Sequence, residues 1–203
     1  MNISAQMIQI RLLLLVLVAL ALPPMMHAQI AASRVLNASF EGEPRDATVP
    51  RGWYICKEGT TPDILPGPWG VYLEPVDGDT YVGLITRENG TWESIGQRLT
   101  ETLVPDECYV LSMYLARSNT YMGFNNPIKL RIWGAGKKCE RAQLLVETER
   151  IEDTEWTYHN FQFSPESKID YLIIEAFHKD GFFSYRGNVL IDGLSAIRRC
   201  GRS

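Results

Sequence analysis

Short segments rich in β-branched and aromatic residues, separated by proline and glycine clusters, are the feature that most limits the fold of this chain. Such segments are typical of strands bounded by turns. No long segment repeats its apolar residues with the 3.6-residue period of a helix. The candidate strands are residues 35–40, 53–56, 81–86, 94–99, 109–116, 128–133, 143–146, 157–163, 171–177 and 189–197. Many short strands at near-regular spacing predict an all-β chain folded as a sandwich or jelly roll.

Alternation along three of these segments separates an apolar face from a mixed one. In segments 109–116, 128–133 and 171–177, every second residue is apolar, which places that side of the strand in a core. The opposite side mixes aromatic rings with charged groups. The residues of interest there are Tyr114, Arg131, Trp133 and Glu175, and Trp69 is a further candidate ring beside a turn. The alternative is that these rings form part of a covered core beneath the long loop at residues 62–74.

The N-terminus has the order of a secretory signal peptide. Arg11 precedes an uninterrupted apolar run at residues 12–22, and Pro23 ends that run ahead of a small residue, Ala28. The run is too short for a bilayer core of about 30 Å. We therefore expect cleavage after residue 28, export to the periplasm, cell surface or medium, and one β-sandwich domain at residues 29–203. No second run of spanning length follows, so no transmembrane segment is expected in the mature protein.

All four cysteines lie after the predicted leader, and an even number in an exported chain indicates two disulfides. The spacings contain no C-x-x-C, so zinc is not expected. Three pairings are open. Cys108–Cys139 is favoured because these cysteines bracket one strand–loop–strand segment, and this leaves Cys56–Cys200 to tie down the C-terminal tail.

Charge and motif content exclude several classes of function. Arg11 is the only charged side chain in the leader, so its removal takes the formal net charge from −4 to −5. A mildly acidic domain is a poor candidate for binding nucleic acid. The sequence has none of the nucleophile, zinc-protease or phosphate-loop motifs. A glycoside hydrolase would need two carboxylates about 5–10 Å apart, for which Glu93 and Glu175 are the candidates.

An ordered set of short motifs resembles the galactose-binding-like β-sandwich superfamily, in particular carbohydrate-binding modules of families 4, 9 and 22 and related domains of secreted Bacteroidetes proteins. The motifs are Asn37-x-Ser-Phe-Glu41, Pro50-x-Gly-Trp53, Asp77-Gly-x-x-Tyr-Val-Gly-Leu84, Ile95-x-Gln-x-Leu99, Cys108-Tyr-Val-Leu-Ser-Met113 and Val189-Leu-Ile-Asp-Gly-Leu194. The resemblance covers nearly the whole mature chain. It implies a jelly-roll sandwich in which the first and last strands are adjacent.

The same resemblance implies a structural calcium ion away from the sugar site. The matching positions are Glu41, Asp77 and Asp192. Carboxylate and carbonyl oxygens are the ligands that Ca²⁺ prefers. An ordinary turn at Asp77 and a strand-end acid at Asp192 are the alternative interpretation.

Taken together, the sequence predicts a non-catalytic secreted module that recognises glycan. A ring covers the apolar face of a pyranose, and charged groups bond its hydroxyls. We expect stacking by Trp133, Tyr114 and Trp69, with Arg131 and Glu175 as hydrogen-bonding groups. The alternative is a structural or adhesive cell-surface protein whose partner is a protein, with disulfides and calcium providing durability.

Overall fold

The computed structural model describes residues 33–178 and 185–201, and the signal peptide predicted at residues 1–28 lies outside these ranges. The described part of the chain consists almost entirely of strands and loops. The strands are β1 (Tyr54–Ile55), β2 (Asp63–Leu65), β3 (Tyr81–Thr86), β4 (Ser94–Leu103), β5 (Tyr109–Ala116), β6 (Asn126–Pro127), β7 (Lys129–Ala135), β8 (Gln143–Glu147), β9 (Thr157–Phe163), β10 (Ile169–Phe177), β11 (Gly187–Asp192) and β12 (Arg198–Arg199). One short 3₁₀ turn spans Pro68–Gly70.

The strands form two sheets. The first, which we call the front sheet, has the order β1-β4-β10-β7-β8, and every neighbouring pair in it is antiparallel. The second, the back sheet, has the order β12-β5-β11-β3-β2, with β9 pairing along β5 and β6 pairing in parallel with β11. This two-sheet arrangement confirms the predicted all-β, jelly-roll-type sandwich.

One apolar core lies between the sheets. Alternate residues of the central strands point into it, among them Leu130 and Ile132 of β7 and Leu172 and Ile174 of β10. Each is essentially inaccessible to solvent. Because burial of one such aliphatic side chain stabilises the fold by about 1.5–3 kcal/mol, this core is the main source of stability.

Loops cover the part of the back sheet's outer side that β2, β3 and β11 form. A second apolar cluster forms there around Tyr81, Tyr121 and Leu190, with Val71 contributed by the loop that precedes β3. The hydroxyl of Tyr121 donates a hydrogen bond to the buried carboxylate of Asp63. Neither Trp133 nor Tyr114 belongs to this cluster, so the covered-core alternative for these rings stays a prediction.

Both disulfides differ from the favoured pairing. Cys108 and Cys200 are bonded because β12 pairs with the start of β5, and their Cα atoms lie 5.3 Å apart. Cys56, just after β1, is bonded to Cys139 in the β7–β8 connection, with a Cα–Cα distance of 5.0 Å. The predicted Cys108–Cys139 and Cys56–Cys200 pairs are wrong, because β12 brings Cys200 beside Cys108 and the β7–β8 connection brings Cys139 beside Cys56.

Most predicted strands are present, and one is not. The bounds of β3, β5 and β9 agree with the prediction, whereas β4 and β10 are longer. Residues 35–40 form turns instead of a strand, and Asn37 and Phe40 have positive φ angles of 52° and 57°. The two ends of the described chain nevertheless meet, since Ser33 and Ile197 form an antiparallel bridge.

Candidate functional site

The solvent side of the front sheet, which we call the outer face, collects the mixed aromatic and charged residues of five strands. Register places Glu175 of β10 between Ser94 of β4 and Arg131 of β7, and Ile173 opposite Trp133. Their neighbours along each strand point into the core, so alternation sends these side chains outward. The outer face consists of Tyr54, Ser94, Gly96, Arg98, Lys129, Arg131, Trp133, Leu144, Glu147, Tyr171, Ile173, Glu175 and Phe177.

A buried carboxylate organises the centre of the outer face. Glu175 is only 1% exposed. Its Oε1 accepts a hydrogen bond from Nε1 of Trp133 at 3.1 Å, and its Oε2 accepts one from Nε of Arg141 at 2.6 Å. Nη2 of Arg141 also donates to Oγ of Ser94 at 3.0 Å. These bonds fix the indole of Trp133 in one orientation on the sheet, with part of the side chain still exposed.

The β7–β8 connection, residues 136–142, extends over the outer face, and we call it the β7–β8 arm. Its Cys139 is bonded to Cys56 at the far edge of the sheet. The ammonium of Lys138 lies 4.3 Å from the ring centroid of Tyr54 on β1. Arg141 reaches the centre of the face, as described above. The arm therefore crosses β10 and β4 and leaves the β7–β8 side of the face open.

Cations stack on aromatic rings at the end of the outer face near Phe177. The guanidinium carbon of Arg131 lies 3.2 Å from the ring centroid of Phe177 and 5.9 Å from that of Trp133. Phe177 contacts Trp92 edge to face, with centroids 5.8 Å apart. The ammonium of Lys57 lies 3.4 Å from the ring of Trp92. Such pairs hold long cationic side chains in place and keep their charge near the surface.

Local electrostatics agree with this crowding of cations. Burial lowers the pKa of Lys57; Glu175 opposes this shift, and Arg141 and Arg87 add to it. On the same face, burial raises the pKa of the Tyr54 hydroxyl to about 12, so the phenol is neutral at physiological pH.

Arg131, Trp133 and Glu175 are thus brought together as predicted, whereas the other two candidates lie elsewhere. Tyr114 is on β5 in the back sheet, where its ring lies 5.4 Å from that of Tyr158. Trp69 is in the Pro68–Gly70 turn and is 42% exposed. The five predicted binding residues therefore do not form one site.

Sequence reasoning missed the residues that reach the outer face from outside its strands. Arg141 and Lys138 belong to the β7–β8 arm, and Lys57 follows Cys56. Correct pairing of Cys56 with Cys139 would have placed all three beside the front sheet.

The two carboxylates considered for hydrolysis do not face one cleft. Glu93 is fully buried and accepts hydrogen bonds from the amides of Thr61 (2.9 Å) and Ile85 (3.1 Å) while forming an ion pair with Arg87. Glu175 lies instead on the outer face. Because Glu93 is inaccessible to solvent and its oxygens are bound to backbone amides and Arg87, it does not line a cleft together with Glu175.

Glu41 and Asp192 bind the backbone of one turn. Oδ2 of Asp192 accepts hydrogen bonds from the amides of Val76 (2.7 Å) and Asp77 (3.0 Å), and Oε2 of Glu41 accepts one from that of Asp79 (3.1 Å). Within residues 33–178 and 185–201, no three acidic, histidine or cysteine side chains are grouped so as to hold a metal. The geometry supplies no argument for calcium here, and calcium binding stays a prediction.

The disulfides of the described chain bear on the compartment in which it folds. Two disulfides are typical of proteins that fold in an oxidising compartment. A search for a helix of the length and apolar content needed to span a bilayer finds none among the described residues.

Several solved structures share this fold. The CBM22-1 xylan-binding domain from Paenibacillus barcinonensis Xyn10C is 18% identical, with a TM-score of 0.54, over 87% of this chain and 100% of that domain. The K3 cleaved adhesin domain of Lys-gingipain from Porphyromonas gingivalis w83 is 16% identical, with a TM-score of 0.50, over 81% of this chain and 98% of that domain. No family model and no curated protein matches the chain.

At these identities the likeness establishes the fold. It confirms the predicted resemblance to carbohydrate-binding-module β-sandwiches. Function does not follow from fold alone, so it has to be argued from the outer face.

Proposed function

We propose that this protein is a non-catalytic module that binds glycan on the open part of the outer face. The observation that carries the proposal is the bond between the buried Glu175 and the indole of Trp133. A ring held by a buried acceptor presents one fixed apolar surface beside charged donors. This combination suits a sugar, which has apolar ring faces and hydroxyl edges.

The neighbours of Trp133 support the same proposal. Leu144, opposite it on β8, is 40% exposed and extends the apolar surface. Arg131 and Glu147, paired with each other at 2.6 Å, border that surface and offer donors and acceptors to hydroxyl groups. A saccharide lying along β7 and β8 would contact all four residues. The absence of a shared cleft for Glu93 and Glu175 favours binding without hydrolysis.

The test is a glycan array on the folded mature chain, residues 29–203, followed by calorimetry on the best hit. Trp133→Ala should weaken binding by at least about tenfold, which corresponds to about 1.4 kcal/mol. Trp69→Ala is the matched control, because it removes the same side chain from an exposed turn on the other sheet, and it should leave affinity unchanged. Equal loss in both variants would contradict the outer-face site. If a folded sample binds no glycan on the array, a protein partner is favoured instead.

A further inference from the structure

The charge on the outer face is opposite in sign to that of the chain. Two carboxylates, Glu147 and Glu175, lie on the face. Five cationic side chains lie on it or contact its rings and acids, and a sixth, Lys57, stacks on Trp92 at its border; the five are Arg98, Lys129, Arg131, Lys138 and Arg141. This local excess of positive charge occurs in a chain whose formal net charge is −4.

Half of these cations have no anionic partner among the described residues. Glu147 is shared by Lys129 and Arg131, at 3.2 and 2.6 Å, and Glu175 pairs with Arg141. Lys57, Lys138 and Arg98 form no ion pair within the described ranges and instead lie against aromatic rings.

The aromatic rings keep these free cations on the face. Of the six cation–π pairs in the described chain, five belong to the outer face or its border. A lysine stacked on a ring keeps its ammonium in a defined position and retains its charge. Burial is the main cause of the lowered pKa of Lys57; Glu175 opposes this shift, and Arg141 and Arg87 add to it, so an added anion beside this ammonium would favour its charged form.

Resting on the function proposed above, we infer that the ligand is an anionic glycan, whose carboxylate or sulfate groups are bound by Lys57 and Lys138 at the edge of the outer face. One sugar ring packs on Trp133, and the acidic group that reaches the two lysines beside the Cys56–Cys139 disulfide belongs to another residue of the same glycan, since β7 and β1 are three strands apart, about 14 Å. Because both lysines are partly or fully exposed, the contribution of their charges should fall as salt screens it.

The experiment compares polysaccharides that differ only in charge. Chondroitin sulfate, polygalacturonate and glucuronoxylan are each paired with a desulfated or carboxyl-reduced form of the same backbone, and binding to residues 29–203 is measured at low and at high salt. We expect the charged forms to bind at least about tenfold more tightly, with the difference shrinking at high salt. Desulfation and carboxyl reduction, applied separately to chondroitin sulfate, show which anion matters.

A pair of double variants tests the location. Lys57→Gln with Lys138→Gln should remove most of the preference for the charged form. The control, Arg45→Gln with Arg198→Gln, lowers the net charge equally but changes exposed residues next to the back sheet, and it should change affinity by less than about twofold. Thermal unfolding checks that both proteins are folded, and Lys→Arg at the two positions should restore binding.

The outcomes distinguish failure of this inference from failure of the proposed glycan binding. Equal binding of charged and neutral forms overturns the inference and leaves glycan recognition standing. Equal loss in the control variant, or equal competition by poly-L-glutamate, overturns the inference by showing non-specific attraction of anions. Failure to bind any polysaccharide on a folded sample overturns both.

Discussion

Removal of the Cys56–Cys139 disulfide would show how far the β7–β8 arm shapes the outer face. The two cysteines are 83 residues apart, so loss of the bond would destabilise the protein by at most about 4.5 kcal/mol on the loop-entropy estimate. The Cys108–Cys200 bond closes a loop of similar size, with a separation of 92, and its loss would cost nearly the same. The two disulfides should therefore contribute similarly to the stability of the protein, although only Cys56–Cys139 holds the β7–β8 arm.

This match allows binding to be separated from folding. We expect the Cys56→Ser/Cys139→Ser and Cys108→Ser/Cys200→Ser proteins to lose similar free energies of unfolding in urea, within about 1 kcal/mol of each other. Only the first should speed amide hydrogen exchange in residues 136–142, since only that bond holds the arm on β1. Only the first should weaken glycan binding, because it releases Arg141 and Lys138 from the face.

The reasoning is refuted if both variants, measured under conditions where each is folded, lose affinity equally. It is also refuted if exchange within the arm is unchanged when Cys56 and Cys139 are replaced. In either case Arg141 and Lys138 would be held by contacts other than the disulfide.

Three further predictions concern the scaffold. Burial raises the pKa of Glu93, so the folded state keeps this proton to a higher pH than the unfolded state does, and the stability that the group contributes falls as pH rises. The loss of unfolding free energy caused by Glu93→Gln, measured in urea, should therefore be larger at about pH 4.5 than at about pH 8. A loss that grows with pH would contradict this sign. Tyr121→Phe should destabilise by about 1.5–3 kcal/mol, because it leaves the buried carboxylate of Asp63 without its hydroxyl donor, and an unchanged unfolding midpoint would show that the bond contributes nothing. Gly78→Ala should lower the melting temperature, since φ is +74° there and a Cβ would lie 2.2 Å from Oε1 of Glu41; a neutral effect would mean that this turn readjusts freely.

The sequence identified the strands wherever alternation was strong. β5 has the predicted bounds because every second residue is apolar and faces the core. Residues 35–40 have the composition of a strand, but the backbone turns at Asn37 and Phe40 to place the ring of Phe40 against Trp53 in the core. Composition alone does not distinguish an apolar turn of this kind from a short strand.

The residues of the outer face were placed in part for the same reason. Alternation correctly placed Arg131, Trp133 and Glu175 on the outward side of neighbouring strands. Tyr114 has the same pattern but belongs to the back sheet, and period-2 alternation carries no information about which sheet a strand joins. The arm with Arg141 was missed because its position depends on a disulfide between residues 83 apart.

The most direct test of the outer-face site is a ¹⁵N–¹H titration of residues 29–203 with the best glycan from the array, following the indole N–H resonances of the five tryptophans. The signal of Trp133, assigned by its loss in Trp133→Phe, is predicted to shift most, together with amides of β7 and β8. Shifts confined to Trp69, or to amides of β5 and β9, with Trp133 unmoved would contradict the account and place the site on the back sheet.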